Sequence, residues 1–182
     1  AVKVLIEAEE IREAVEALGQ RLAADYAGKT LTVVGVLTGS VMLLADLVRA
    51  MNLPLRISLI RASSYRGAAT RPGELEVDDQ LLDDVSGRDV LLVDDIFDSG
   101  RTLDRLLDTL RGHHPASLRS AVLLWKTGRS EVEVEPDYHC FRIPDVFVVG
   151  YGLDHNGEYR YLPHIAGLDD QDLGEPSDLG RN

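Results

Sequence analysis

Cysteine is almost missing from this chain, as are long apolar stretches and an excess of positive charge, and each shortage removes a class of protein. A lone Cys140 among 182 residues cannot close an intramolecular disulfide or share a metal cluster. It fits a reducing compartment and reads as a small buried hydrophobe. No apolar run reaches the ~18 residues of a membrane span, and the N-terminus lacks the basic-then-apolar order of a secretory signal. The expectation is a cytoplasmic protein with no membrane partner. Nineteen Lys and Arg stand against thirty-one Asp and Glu, a formal charge of -12, which repels nucleic acid over most of the surface. An anionic ligand must then be captured by a local site. Gly35 to Ser40 lacks the lysine of a nucleotide triphosphate cradle, so no such loop is present. His113-His114, beside Gly112 and Pro115, has no ligand spacing to an acid or cysteine and is expected to be an exposed turn. His139, His155 and His164 take no role.

What the chain does contain is one repeated theme. Ile11, Val15, Leu18 and Leu22 recur at helical spacing among charged residues, the stripe of an amphipathic packing helix. The β-branched run from Leu31 to Val36 suits a strand buried on both faces. The turn Leu37-Thr38-Gly39-Ser40 follows, then a second helical stripe of Leu43, Leu44, Leu47, Val48 and Met51. Further strands are expected at Arg56 to Ile60, Val90 to Val93, Ala121 to Trp125 and Val146 to Val149, with a third helix on Leu103, Leu106, Leu107 and Leu110. Strands alternating with helices predict an α/β fold, an open and mainly parallel sheet flanked by helices. With 45% hydrophobic residues, residues 1–168 are expected to form a single domain. Tyr65 to Asp84, rich in Gly, Pro, Thr, Arg and acids, reads as a lid loop or small hairpin. Residues 169–182 carry five acids and one arginine and read as an acidic, disordered tail.

In open parallel sheets ligands bind beyond the carboxyl ends of the strands. After Val90 to Val93 come Asp94 and Asp95, two adjacent carboxylates that are costly to desolvate unless a cation or hydroxyl donors compensate them. Vicinal ribose hydroxyls or Mg²⁺ would do so, although either acid alone could simply reach water. Asp98-Ser99-Gly100-Arg101-Thr102 then opens the third helix. Glycine permits close backbone approach, Ser99 and Thr102 supply hydroxyls, and free helix-start amides attract an anion. By itself this string is equally consistent with ordinary helix capping. Joined to the strand and the acidic pair, Val90 to Thr102 describes a site for a phosphorylated ribose.

The same block resembles the 5-phosphoribosyl 1-pyrophosphate (PRPP) motif of the type I phosphoribosyltransferases, and the rest of the chain resembles their hypoxanthine-guanine branch. Leu37 to Ser40 matches the pyrophosphate loop and Ser64-Tyr65 the start of the lid. Leu123 to Lys126 matches the strand ending in a base-contacting lysine, and Ile143 to Asp154 the purine-binding segment. The resemblance spans about residues 31 to 166 and implies the type I fold, with a small hood and a flexible lid. It also implies transfer of the phosphoribosyl group from PRPP to N9 of hypoxanthine or guanine, releasing pyrophosphate in a Mg²⁺-dependent reaction of purine salvage. Asp94 and Asp95 would hold the ribose hydroxyls and Mg²⁺, and Asp98 to Thr102 would wrap the 5-phosphate. Thr38, Gly39, Ser40 and Arg160 would meet pyrophosphate, and Asp154 would add a Mg²⁺ ligand. Asp98 is the expected general base toward the purine N7 proton. Lys126 donates to a 6-oxo group, which favours 6-oxopurines over adenine, whose 6-amino group is itself a donor. Phe147 would stack on the base and the Val148 backbone would read its edge, although a lone aromatic in an apolar strand is ordinarily core.

Two positions depart from the pattern. Thr38 stands where many relatives carry lysine, and Asp94 where glutamate is frequent. Arg129, in a compact turn, receives no role. Competing readings are a transferase for xanthine, adenine or a pyrimidine, and a PRPP-sensing regulator that binds RNA. The regulator would need a basic stripe that this acidic chain lacks. Family members are commonly dimers or tetramers, so a homodimer or homotetramer is expected.

Overall fold

The computed structural model describes residues 2–64 and 74–174. Along the chain run β1 (Lys3–Ile6), α1 (Ala8–Asp25), β2 (Leu31–Leu37), α2 (Val41–Met51), β3 (Arg56–Ser64) and β4 (Leu75–Asp78). They are followed by β5 (Asp89–Phe97), α3 (Arg101–Arg111), β6 (Ser117–Lys126), β7 (Tyr138–Ile143), β8 (Phe147–Val149), β9 (Ile165–Leu168) and α4 (Asp170–Gly174). Six strands form the main sheet in the order β4-β3-β2-β5-β6-β7. All its neighbours are parallel except β4, which runs antiparallel along β3 with Ser64 opposite Leu75. Three short antiparallel strands, β1-β9-β8, make a separate hood sheet.

Strand periodicity explains the layering. Val33, Leu91, Val93, Ala121 and Leu123 face a core completed by the stripes of α1 and α2. Their neighbours Val34, Val90, Leu92 and Val122 face the opposite side, where Leu103, Leu106, Leu107 and Leu110 of α3 cover them. Hood residues Ile6, Val148 and Ile165 belong to the first of these cores, so the two sheets share one apolar interior.

The predicted helices and the strands at 31–36, 56–60, 90–93 and 121–125 all appear in the sheet-and-helix arrangement expected. The run at 146–149 is a strand from Phe147 onward, and it belongs to the hood. Three strands escaped the sequence: β1, β7 and β9 are short or edge-lying, and their side chains show no long buried run. Strand β4 lies in the stretch read as a lid loop or small hairpin and pairs antiparallel with β3. His113 corrects another expectation, being half-buried with Nε2 2.9 Å from Asp79 Oδ2. Asp79 follows β4, and only the folded β3–β4 arm brings it to the end of α3. Of the expected acidic tail, Asp170–Gly174 form the short helix α4, and residues 175–182 lie outside the described residues, as does Tyr65.

Candidate active site

Parallel β2 and β5 are adjacent and end on the same edge of the sheet, so the loops that follow them face each other. Between these loops lies a cavity of about 240 Å³. Its walls include Gly39 from the β2–α2 loop, Asp94 and Asp95 near the end of β5, Asp98 to Gly100 and Thr102 at the start of α3, and Asp154 and Arg160 from the hood connection. Residues 39, 94–102 and 154–160 are far apart in sequence, and the sheet order brings them together.

The acidic pair is tightly held. The Asp95 amide donates to Asp94 Oδ1 at 2.8 Å, and the Ile96 amide donates to Asp95 Oδ1 at 2.7 Å. Burial raises the Asp94 carboxyl well above the usual range, and the neighbouring Asp95 charge adds to the effect. Burial raises Asp95 as well, opposed by hydrogen bonds from Asp94 and the Ile96 amide. Two carboxylates in this state favour a compensating cation or hydroxyl donors. Gly39 packs directly on Asp95: a Cβ at this position would sit 2.0 Å from Asp95 Oδ2, so glycine lets the loop approach. Ser40 is turned inward, its amide donating to the Val36 carbonyl at 3.2 Å and its hydroxyl at 2.6 Å. It closes the turn and leaves Gly39 to line the cavity.

Across the cavity the hood connection is braced by its own contacts. Arg160 Nη1 donates to the Gly152 carbonyl at 2.5 Å, and Nη2 lies 3.3 Å from Asp154 Oδ1. The Gly157 amide donates to Asp154 Oδ2 at 2.9 Å. Arg160 is close enough for its charge to pull the Asp95 carboxyl downward. Metal chemistry fits this donor set. Among the described residues no group of three His, Cys, Asp or Glu side chains could cage an ion. Hard carboxylates on opposite walls of an open cavity are instead what Mg²⁺ uses when substrate oxygens and water complete its shell.

At the α3 start, Gly100 takes φ +87°, and a Cβ there would meet Val132 Cγ2 at 2.4 Å and Phe97 Cζ at 2.6 Å. The Arg101 amide donates to Ser99 Oγ at 3.3 Å. The Arg101 side chain extends into solvent, where Nε pairs with Glu131 Oε2 at 2.6 Å. Ser99, Gly100 and Thr102 therefore line the cavity, whereas the arginine does not.

Lys126 ends β6 beside this cradle. It is 7% exposed, and its Nζ lies 3.3 Å from Asp98 Oδ2 and 3.8 Å from Asp145 Oδ1. Phe147 is 40% exposed with the His155 ring edge-on at 5.3 Å, so it is not the core aromatic that its apolar strand would suggest. Val148 is buried opposite Gly167. Three further residues surround Asp98 and Arg101 without any local mark in the sequence: Arg129 pairs with Asp98, Glu131 with Arg101, and Asp145, within the segment that resembles the purine-binding one, with Lys126 and Arg129.

An open parallel sheet with this acidic pair, glycine cradle and facing loop defines the phosphoribosyltransferase class, and residues 5–156 match the phosphoribosyl transferase domain model. A hypoxanthine-guanine phosphoribosyltransferase of Streptococcus pneumoniae is 42% identical over 169 residues, covering 93% of this chain and 94% of that protein. The fold is similar to a crystallised hypoxanthine phosphoribosyltransferase of Staphylococcus aureus, with TM-score 0.87, 36% identity and coverage of 95% and 94% of the two chains. It is also similar to the Trypanosoma cruzi hypoxanthine phosphoribosyltransferase in complex with the product IMP, with TM-score 0.84, 37% identity and coverage of 93% and 95%. The chain belongs to the hypoxanthine-guanine phosphoribosyltransferase family.

Proposed function

We infer that this protein transfers the 5-phosphoribosyl group of PRPP to N9 of hypoxanthine or guanine, giving IMP or GMP and pyrophosphate in purine salvage. The observation that carries the reading is the cavity itself, in which the acidic pair, the phosphate cradle and the Asp154–Arg160 pair share one space next to Lys126. In this reading the amides and hydroxyls of Ser99, Gly100 and Thr102 bind the 5-phosphate at the start of α3. Asp94 and Asp95 hold the ribose hydroxyls. Thr38 and Gly39 face pyrophosphate together with Arg160, and Ser40 keeps that loop closed. Asp94, Asp95 and Asp154 would hold Mg²⁺, which when bound offsets negative charge on the leaving pyrophosphate.

The purine lies between Phe147 and Lys126. Phe147 offers an exposed ring for stacking, the Val148 backbone reads the edge of the base, and the Lys126 ammonium donates to the 6-oxo group. Asp98 accepts the N7 proton as the bond at N9 forms. Ser64 and Tyr65 begin the lid, whose closure would keep water from an oxocarbenium-like state. Residues 1–168 act as one domain, and the family resemblance supports a homodimer or homotetramer. No described helix is long and apolar enough to cross a membrane, and the single half-buried thiol of Cys140 suits a reducing cytoplasm.

The test is pyrophosphate release from PRPP and Mg²⁺ with hypoxanthine, guanine, xanthine, adenine or uracil as acceptor. Release with hypoxanthine or guanine is expected, slowed about a hundredfold or more by Asp98→Asn and strongly by Lys126→Ala. Release with none of the five bases would overturn the enzyme reading.

A further inference from the structure

Arg129 sits against Asp98, the proposed base. Two acids and two cations alternate around a closed ring. Lys126 Nζ is 3.3 Å from Asp98 Oδ2 and 3.8 Å from Asp145 Oδ1. Arg129 Nε is 3.0 Å from Asp98 Oδ1, and its Nη1 is 3.6 Å from Asp145 Oδ2. The two cations thus take different oxygens of Asp98, Arg129 by a hydrogen bond to Oδ1 and Lys126 by one to Oδ2.

The turn that carries Arg129 is bolted at both ends. The Thr127 amide donates to the Ile143 carbonyl at 2.9 Å, and the Glu131 amide donates to the Ser99 carbonyl at 2.8 Å. Glu131 also pairs with Arg101, and Val132 fills the space over Gly100 where a Cβ would stand. One end of the turn is therefore tied to the strand leading into the purine segment, and the other to the phosphate cradle. A guanidinium on so short and anchored a turn is placed by the backbone.

We propose that Arg129 is a positioning residue for the reaction: it keeps the Asp98 carboxylate oriented when Lys126 turns from Asp98 to the 6-oxo group of the bound purine. This rests on Asp98 being the base. Lys126 divides its ammonium between Asp98 and Asp145. A 6-oxopurine competes for the same three donors, and each one it takes loosens Lys126 from Asp98 Oδ2. Arg129 remains on Oδ1, so the carboxylate keeps its direction with Oδ2 free to accept a proton. Asp145 anchors the guanidinium from its other side. A lysine at position 129 would keep the charge but present its donors from one nitrogen on a flexible stem, without the planar fork that sends separate nitrogens to the two acids.

The experiment measures single-turnover formation of nucleotide from PRPP and hypoxanthine, together with binding of each substrate, in Arg129→Ala, Arg129→Lys, Asp98→Asn and the double variant Asp98→Asn/Arg129→Ala. Arg129→Ala is expected to slow the single turnover by about tenfold or more with little change in either dissociation constant. Arg129→Lys should regain part of the rate. The double variant should be no slower than Asp98→Asn, because a residue acting through Asp98 has nothing left to position. Parental rate in Arg129→Ala alongside a slow Asp98→Asn overturns this inference alone, and so does a full further loss in the double variant. An unaltered rate in Asp98→Asn removes the base role beneath it. Should Arg129→Ala fail to fold, Arg129→Gln, which keeps the stem and N–H donors without the charge, makes the same comparison.

Discussion

Asp94 shows how a residue can be useful to a ligand and costly to the ligand-free fold. It is 6% exposed beside Asp95, and burial raises its carboxyl well above the ordinary range. A carboxyl with a raised folded-state pKa favours folding only while protonated. That contribution is complete below the unfolded carboxylate value and is lost as pH climbs through the raised one. In chelator and without PRPP, the parent should therefore lose thermal stability relative to Asp94→Asn as pH rises above the ordinary carboxylate value of about 4. At the upper end the variant should be the more stable by on the order of 1 kcal/mol or more, since a tenfold change in a protonation equilibrium is worth about 1.4 kcal/mol. The same variant should bind PRPP with Mg²⁺ more weakly. Melting curves across that range check the first outcome and titration calorimetry the second. Equal melting temperatures at every pH would show that the pair is not strained by burial.

At the scale of the element, the cradle is a junction of β5, α3 and the β6–β7 turn. Gly100 holds φ +87° with Val132 and Phe97 filling the volume that a side chain would need. Gly100→Ala combines an unfavourable backbone region with a contact that must give way. It should cost about 1–3 kcal/mol of stability. Because the shift falls where Ser99 and Thr102 line the cavity, affinity for PRPP should drop more than affinity for the purine. Denaturant unfolding and separate measurement of the two dissociation constants check this, and an equal loss for both ligands would place the damage outside the cradle.

For the whole molecule, magnitudes show what holds it together. The helix ion pairs Arg12–Glu16, Arg49–Asp46 and Arg111–Asp108 are all more than 40% exposed on both sides, and such pairs contribute ~0–1 kcal/mol each. Apolar cores on the two faces of the main sheet carry far more, and the first of them runs into the hood through Ile6, Val148 and Ile165. Ile165 is fully buried. Ile165→Ala should cost about 2–5 kcal/mol and lower the midpoint of a single transition, because the hood and main sheet share that core. Coincident unfolding curves from near-ultraviolet and far-ultraviolet circular dichroism are the check. An early, separate transition in Ile165→Ala would mean that the hood folds on its own.

Much of this protein is written locally. Helices α1, α2 and α3 follow from stripes at helical spacing, and β2, β5 and β6 from short apolar runs buried on both faces. The block from Val90 to Thr102 was legible as a ribose-phosphate site because strand, acids and cradle are contiguous in sequence. Tertiary structure decided the rest. Strands β1 and β9 have four residues each and are defined by pairing with distant chain, Lys3 with Gly167 across nearly the whole sequence and β9 with β8 on its other side. Phe147, expected to stack on the base although its apolar strand alone would suit a core residue, is exposed at the hood, because burial depends on which sheet a strand joins. The ring of Asp98, Lys126, Arg129 and Asp145 joins residues from three stretches of chain, and a charge acquires its partner only when the fold brings the stretches within a few ångströms.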